Sequence, residues 1–532
     1  MSKPLIAVFS GPTSTIANSP PLVTSNKARL EGERMLPGRF DHLVPQFLYE
    51  PVTVKIRKFS AHPLEADSAE VYQDNGKDYY EAVLKPEDGP YPLPYMARRK
   101  NGSPKGRPFE AGDLLDPTIN FGGRQGFYPD ASRIFLDIDR TVSGRSEGGK
   151  GSTLDRKADY EFIRALPPAG YASKREVSGI DYFPYEPYPI GKNVRCKDLA
   201  RVTNTVQKAL SSGRYSGGIW LEGSPHLEET LYWLNLLIDT ELPIVGNAAQ
   251  RPHGQLSSDG DRNIVDAVVY ISSEKCRGLG AVAVLDQVVY AARELKKGDD
   301  RPGGYKTTGG HGGILGTVKS GEVTIWYRPN YKHTSVSEVN TTNLPNELVF
   351  RDNAHDSGIS SPIKIKSEDG SLAGECIPRV QIVKYAHYSQ EDETENPDNE
   401  VVIMAWIKRA RSDQENPDSR KPKLHGLVLE GTSPYARGSI AQMKALRIAA
   451  LSGIPVVRVG RSDPAGRVVT DKTDLFIEGS NLDANKARLL LMASMLKLGR
   501  LPKAKDPRNP TASELQTVTD KANEFQKIFE SH

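Results

Sequence analysis

The sequence predicts two α/β domains, a larger N-terminal one on a mainly parallel sheet that carries the active site and a smaller C-terminal one. Two observations carry this prediction. Short apolar runs alternate with helical patterns on both sides of a polar stretch at 346–374, as parallel sheets with crossover helices require. The stretch Gly217–Ser273 reads as strand, polar turn, helix, strand, polar loop, helix, which puts both turns on one sheet edge. The length of 532 residues agrees, because it allows about two to four domains. The expected division is 1–345, a linker at 346–374, and 375–532.

Leu5–Phe9 is a short apolar strand that runs into SGPTSTIANSPP, so Ser10, Thr13, Ser14 and Thr15 stand at or just beyond its end. A Ser/Thr-rich turn has the same composition, and short motifs of this kind are weakly specific. Residues 50–157 differ in texture. They are rich in Pro, Gly, Tyr and Arg (Tyr91, Tyr95, Arg98, Arg99, Arg107) and read as an insertion of short strands or long loops that covers a substrate or a neighbouring subunit. EFIRALPPAG from Glu161 reads as a helix stopped by its prolines. Cys196–Leu210 is a helix with Leu199, Val202, Val206 and Leu210 on one face.

In the central stretch Gly218–Leu221 is a strand and Glu222–Pro225 a turn. Leu227, Leu231, Leu234 and Leu237 form an amphipathic helical stripe, and Leu242–Val245 is a buried strand. Gln250–Arg262, with Ser257, Ser258, Asp259 and Asp261, opens a helix containing Val265, Val268 and Val269. Polar loops after strand C-terminal ends are where open α/β sheets place ligands. Gly280–Leu285 is a strand, Val288–Lys297 a turn into a basic segment, and GEVTIWYRP a strand. Beyond the linker VQIVKYA, VVIMAWI, GLVLEG and PVVRVG read as strands. SIAQMKALRIAALSG, ANKARLLLMASMLKLG and Ser513–Phe529 read as helices, the last capped by Thr511 or Ser513.

Composition narrows the chemistry. The 70 Lys and Arg against 67 Asp and Glu leave a net charge of +3, with no long block of either sign, which gives no electrostatic case for nucleic acid or an acidic membrane surface. Cys196, Cys276 and Cys376 lack CxxC spacing, and the 10 histidines include no HxH or HxxxH pair, so neither a disulfide framework nor a metal site is expected. No apolar run approaches the length of a membrane span, and Leu5–Phe9 is too short for a signal-peptide core. A cytoplasmic protein without cofactor is the expectation.

The central stretch resembles the bacterial-type L-asparaginase/glutaminase family. LEGSPHLEETLYWLNL is similar to the family's glycine-hydroxyl turn and MEET-type helix, PIVGNAAQRP to its next strand and RP loop, and LSSDGDRNIVDAV to its SADG..N..AV helix. IAVFSGPTSTIANS resembles the strand and nucleophile loop, and DQVVYAARELKK the segment ending in the catalytic lysine. YKHT, GLVLEGTSPYARGSI, GIPVVRVGRSDPAGRV and NLDANKARLLLMASML also have counterparts. The resemblance spans roughly 1–30, 158–345 and 375–532 and leaves the insertion uncovered.

The resemblance implies amide hydrolysis by a threonine nucleophile, with a second hydroxyl and a lysine as proton relay. Counting from the strand end gives Thr13 as nucleophile, whereas matching Thr-Ile-Ala gives Thr15. Distance from the strand end favours Thr13. The second hydroxyl falls on Ser224 and the lysine on Lys297, with Lys296 one residue away. Backbone N–H groups of the tight turns would hold the oxyanion. Glu222, Gly223, Pro225 and His226 fall around the substrate, and Glu186, in IDYFPYEPYP, replaces the family's carboxylate-binding segment. The family's amine-binding aspartate corresponds to Pro225, and SPPLVTSNKARL lacks the mobile-loop tyrosine. The expected activity is hydrolysis of a linear or cyclic amide other than asparagine. The alternatives are a non-catalytic binder of a small amide or amino-acid-like ligand, or an ammonia-supplying subunit. The resemblance also implies a homo-oligomer, a dimer or tetramer, with Gly431–Arg437 and Arg461–Asp471 at the border between subunits.

Overall fold

The computed structural model describes residues 6–10, 43–46, 52–56, 80–84, 91–94, 197–213, 215–250, 259–308, 310–349, 362–415, 424–461 and 475–532. Strand β1 (Ile6–Ser10) opens the chain. Within or beside the insertion, β2 (Leu43–Gln46) pairs antiparallel with β5 (Tyr91–Pro94), and β3 (Val52–Ile56) with β4 (Tyr80–Leu84). The helix expected from Glu161 lies outside the described residues.

The N-terminal sheet is assembled from elements far apart in sequence. Helix α1 (Asp198–Ser211) leads to β6 (Gly217–Leu221), α2 (Leu227–Leu237), β7 (Ile244–Asn247), α3 (Gly260–Ile271) and β8 (Ala281–Leu285). Strands β1, β6, β7 and β8 are parallel neighbours in that order. The sheet continues antiparallel through β9 (Val288–Ala291), β12 (Ile314–Lys319) and β13 (Glu322–Ile325). Between them β10 (Leu295–Lys297) and β11 (Tyr305–Thr307) form a separate antiparallel ribbon.

The turn expected over Val288–Lys297 is therefore two strands. Asp286 and Gln287, at φ of 49° and 66°, form a two-residue connection that folds β9 back on β8. Both residues at positive φ is the geometry that suits a tight hairpin. The usual Asn-Gly or Asp-Gly signal is missing, so the hairpin cannot be read from the residues.

In the second unit β14 (Glu347–Leu348) pairs with β15 (Ile363–Lys364) inside the expected linker. Then β16 (Arg379–Lys384), β17 (His425–Gly431), β18 (Val456–Gly460) and β19 (Ile477–Glu478) make an all-parallel sheet in that order. Its helices are α4 (Val401–Glu415), α5 (Ile440–Leu451), α6 (Ala484–Leu498) and α7 (Ala512–Ser531). Thr511 caps α7 in a capping box with Glu514. VVIMAWI, expected as a strand, is the first half of α4. Ile403, Ile407 and Ala410 are buried while Val401 and Val402 are exposed, a helical period that a short run of apolar residues conceals.

Helix α2 joins the two units. Its Leu227, Leu231 and Leu234 pack with Trp220, Ile244 and Ala281 beneath the N-terminal sheet. Tyr232, Trp233, Leu236 and Leu237 belong to the core of the C-terminal unit, with Leu427, Leu490 and Leu496. The expected amphipathic stripe is thus one face of a helix buried on nearly all sides, and Leu237 lies on the other face. A helix with apolar residues on two opposite faces has little solvent face to offer and becomes an interior element.

Candidate active site

The turn Glu222–His226 leaves the C-terminal end of β6. Glu222 N–H donates to Asn247 O at 3.1 Å, extending the ladder one residue. Gly223 O accepts from His226 N at 3.0 Å and Leu227 N at 3.2 Å, which starts α2. These bonds hold Ser224 between strand and helix, 8 % exposed. Strand β1 ends in register with the same edge, Ser10 opposite Leu221, so β1 and β6 end side by side. Thr13 and Thr15 follow within five residues and lie outside the described residues, as does Glu186.

Ser224 meets the ribbon from the opposite side. Lys297 Nζ donates to Ser224 Oγ at 2.9 Å, and the Tyr305 hydroxyl donates to Ser224 O at 3.2 Å. Lys297 and Tyr305 are cross-strand partners, so one rung of the ribbon grips one serine. Strand alternation decides between the adjacent lysines. Lys296 turns away, with Nζ 3.4 Å from Asp483 of the C-terminal unit. The structure thus brings Ser224 and Lys297 together although 73 residues separate them. Lys297 Nζ also lies 2.6 Å from Asp300 Oδ1, and that carboxylate is exposed.

The remaining expected substrate contacts differ in placement. Pro225 and His226 are exposed on the turn, and Gly223 is buried. Glu222 is buried, its Oε2 accepting from Trp220 Nε1 at 2.8 Å. Burial pushes its carboxyl up to about 7, against the opposing hydrogen bonds of Trp220 and Thr230. Glu228, on the first turn of α2, accepts from Lys297 N–H at 2.5 Å, and burial raises its carboxyl as well. Burial also raises the Tyr305 phenol, which therefore stays a neutral donor.

Three residues beside the lysine have no signal in the sequence. Tyr305 stands in a glycine-rich run, Asp300 in an ordinary acidic turn, and Glu228 inside LEET, where helical spacing places it but cannot show its burial. Among the described residues no cluster of His, Cys, Asp and Glu could hold a metal ion, and no helix is long and apolar enough to cross a membrane.

Residues 185–330, which hold the turn, α2 and the Lys297 ribbon, match the family model for the N-terminal domain of asparaginase. This stretch of the chain is thus similar to the N-terminal domain of asparaginases. It is 25 % identical over 299 residues to a glutaminase-asparaginase of Acinetobacter glutaminasificans, covering 50 % of this chain and 88 % of that one. It is 32 % identical over 118 residues to an L-asparaginase of Bacillus licheniformis, covering 22 % and 36 %. A solved probable cytoplasmic L-asparaginase of Campylobacter jejuni superposes with a TM-score of 0.46 at 20 % identity, over 64 % of this chain and 87 % of that one. The chain spans most of the Acinetobacter relative but only about a third of the Bacillus one.

Glu222 gives a pH dependence. Its carboxyl is raised in the folded state, so between about 4.5 and 7 the folded protein keeps a proton that the unfolded chain has released. Stability is fully favoured below about 4.5 and falls as pH rises through 7, by roughly 3 kcal/mol in total. Glu222→Gln should flatten this slope in urea titrations at pH 5 and pH 8. An unchanged slope in the variant would assign it elsewhere.

Proposed function

We propose that this asparaginase-like chain is an amidohydrolase. The observation that carries the reading is the 2.9 Å contact of Lys297 Nζ with Ser224 Oγ at the sheet edge where β1 also ends. In this reading a threonine hydroxyl from the segment after β1, Thr13 or Thr15, attacks the amide carbon. A threonine hydroxyl is a weak nucleophile unless its proton has an acceptor. Ser224 passes that proton to Lys297, which returns it to the departing nitrogen as ammonia or amine leaves. Water then hydrolyses the ester by the same route. To accept a proton, Lys297 must first be free of its own extra one. The exposed carboxylate of Asp300 competes with Ser224 for Nζ.

The preferred substrate is a carboxamide other than free asparagine. Pro225 stands directly after the relay hydroxyl and has no charge or donor with which to hold a substrate ammonium. A site that offers no partner for a buried polar group disfavours ligands that carry one. Ammonia release from a panel of linear and cyclic amides tests this, with Thr13→Ala and Thr15→Ala identifying the nucleophile. Activity on at least one amide, a low rate on asparagine and loss in one threonine variant are expected. Asparagine turned over as fast as the best amide would refute the substrate reading. No turnover of any amide would leave a protein that binds amides without cleaving them.

A further inference from the structure

We propose that Lys486, on the C-terminal unit, is a positioning residue for Lys297. It acts by gathering the carbonyls of the turn that launches the Lys297 strand. The inference rests on the reading of Lys297 as the relay base.

The turn Ala292–Glu294 carries the chain from β9 of the main sheet into β10 of the separate ribbon. Three of the carbonyls around it converge on one ammonium. Lys486 Nζ donates to Ala292 O at 3.0 Å, to Arg293 O at 2.9 Å and to Leu295 O. An ammonium has three donors, and here all three go to this segment. Lys486 itself is 1 % exposed. Carbonyl dipoles aimed at a common point repel one another, and a buried carbonyl without a donor is costly. The chain can therefore hold this bend only while a cation occupies its centre.

Burial lowers the pKa of the Lys486 ammonium, and the nearby carboxylates of Asp483, Glu228 and Glu294 act against that shift. Asp483 is also the N-cap of α6 and pairs with Lys296. Arg293 is held from the same side, its Nη1 donating to Asn481 Oδ1 at 2.7 Å and its Nε to His532 O at 2.6 Å. The C-terminal unit thus grips the segment immediately before Lys297, while Glu228 holds the Lys297 N–H. The Nζ–Oγ contact 73 residues back in sequence depends on where this bend points.

A buried lysine between two domains can also serve stability alone, and the two roles separate in kinetics. Lys486→Met is expected to lower kcat on the best amide by about 10²-fold with little change in KM, the loss that a displacement of about 1 Å brings to a reacting group. Lys486→Arg should restore part of it. Backbone hydrogen exchange over 292–297 should quicken in Lys486→Met while β6 stays protected. A purely structural role would reduce the folded fraction and leave kcat per folded molecule, and exchange in this segment relative to β6, as in the wild type. That result would overturn the proposal. If Lys486→Met does not fold, Lys486→Gln, which keeps two N–H donors on a shorter stem, is read in the same way. If the wild type cleaves no amide, the function reading fails by itself, and exchange over 292–297 alone decides whether Lys486 holds the segment.

Discussion

Lys297→Met lowers ammonia release from the best amide by about 10²- to 10⁴-fold, the range that a positioned general acid or base contributes. Methionine nearly matches the apolar stem of lysine, and the Tyr305 hydroxyl still donates to Ser224 O. The turn therefore keeps its place while Ser224 Oγ loses its partner. KM should change little if, as proposed, Lys297 moves a proton and does not hold the substrate. Lys296→Met, whose side chain points to Asp483, should fall far short of this loss. Initial rates of ammonia release, normalised to folded protein by thermal melting, check both. A Lys297→Met variant within a few-fold of wild type would remove the lysine from the relay. A larger loss in Lys296→Met would mean that the ribbon presents the other lysine in solution.

The second large effect is on stability. Trp233→Ala is expected to cost about 3–5 kcal/mol, the range for deleting a large buried aromatic side chain. Trp233 is fully buried, its Nε1 donates to Thr203 Oγ1 at 2.9 Å, and its ring belongs to the core of the C-terminal unit although α2 is part of the N-terminal chain. The cavity would open where α1, α2 and the C-terminal core meet, so both units should melt together and earlier. Urea unfolding followed by far-ultraviolet circular dichroism measures the change. Trp233→Phe should lose much less, because most of the volume stays and Thr203 keeps its own bond to Leu199 O. Separate transitions, with only the C-terminal unit destabilised, would show that α2 does not couple the two.

Several elements were legible because their signals are local. The parallel strands β6, β7, β17 and β18 are short apolar runs between turn residues. Helices α5, α6 and α7 declare themselves by apolar spacing, and α7 also by its cap at Thr511. Helix α4 is hidden in the sequence because VVIMAWI is rich in β-branched and aromatic residues, while Ile403, Ile407 and Ala410 turn to the core. Beta strand β9 was hidden because Asp286 and Gln287 carry positive φ without glycine.

Sequence by itself determined most of the alternation of strands and helices and a resemblance to asparaginases, and that resemblance pointed to a turn hydroxyl and one of two adjacent lysines. These follow from residue order, and a period or a motif lies within a few dozen neighbouring residues. Tertiary structure alone decided that Lys297 faces Ser224 while Lys296 faces Asp483, that α2 is buried on two faces, and that Lys486 fills the bend before Lys297. The reason is distance along the chain. Strand pairing chooses which side of a ribbon each lysine takes, and burial depends on elements more than a hundred residues away. Neither quantity is a property of the segment that carries the residue.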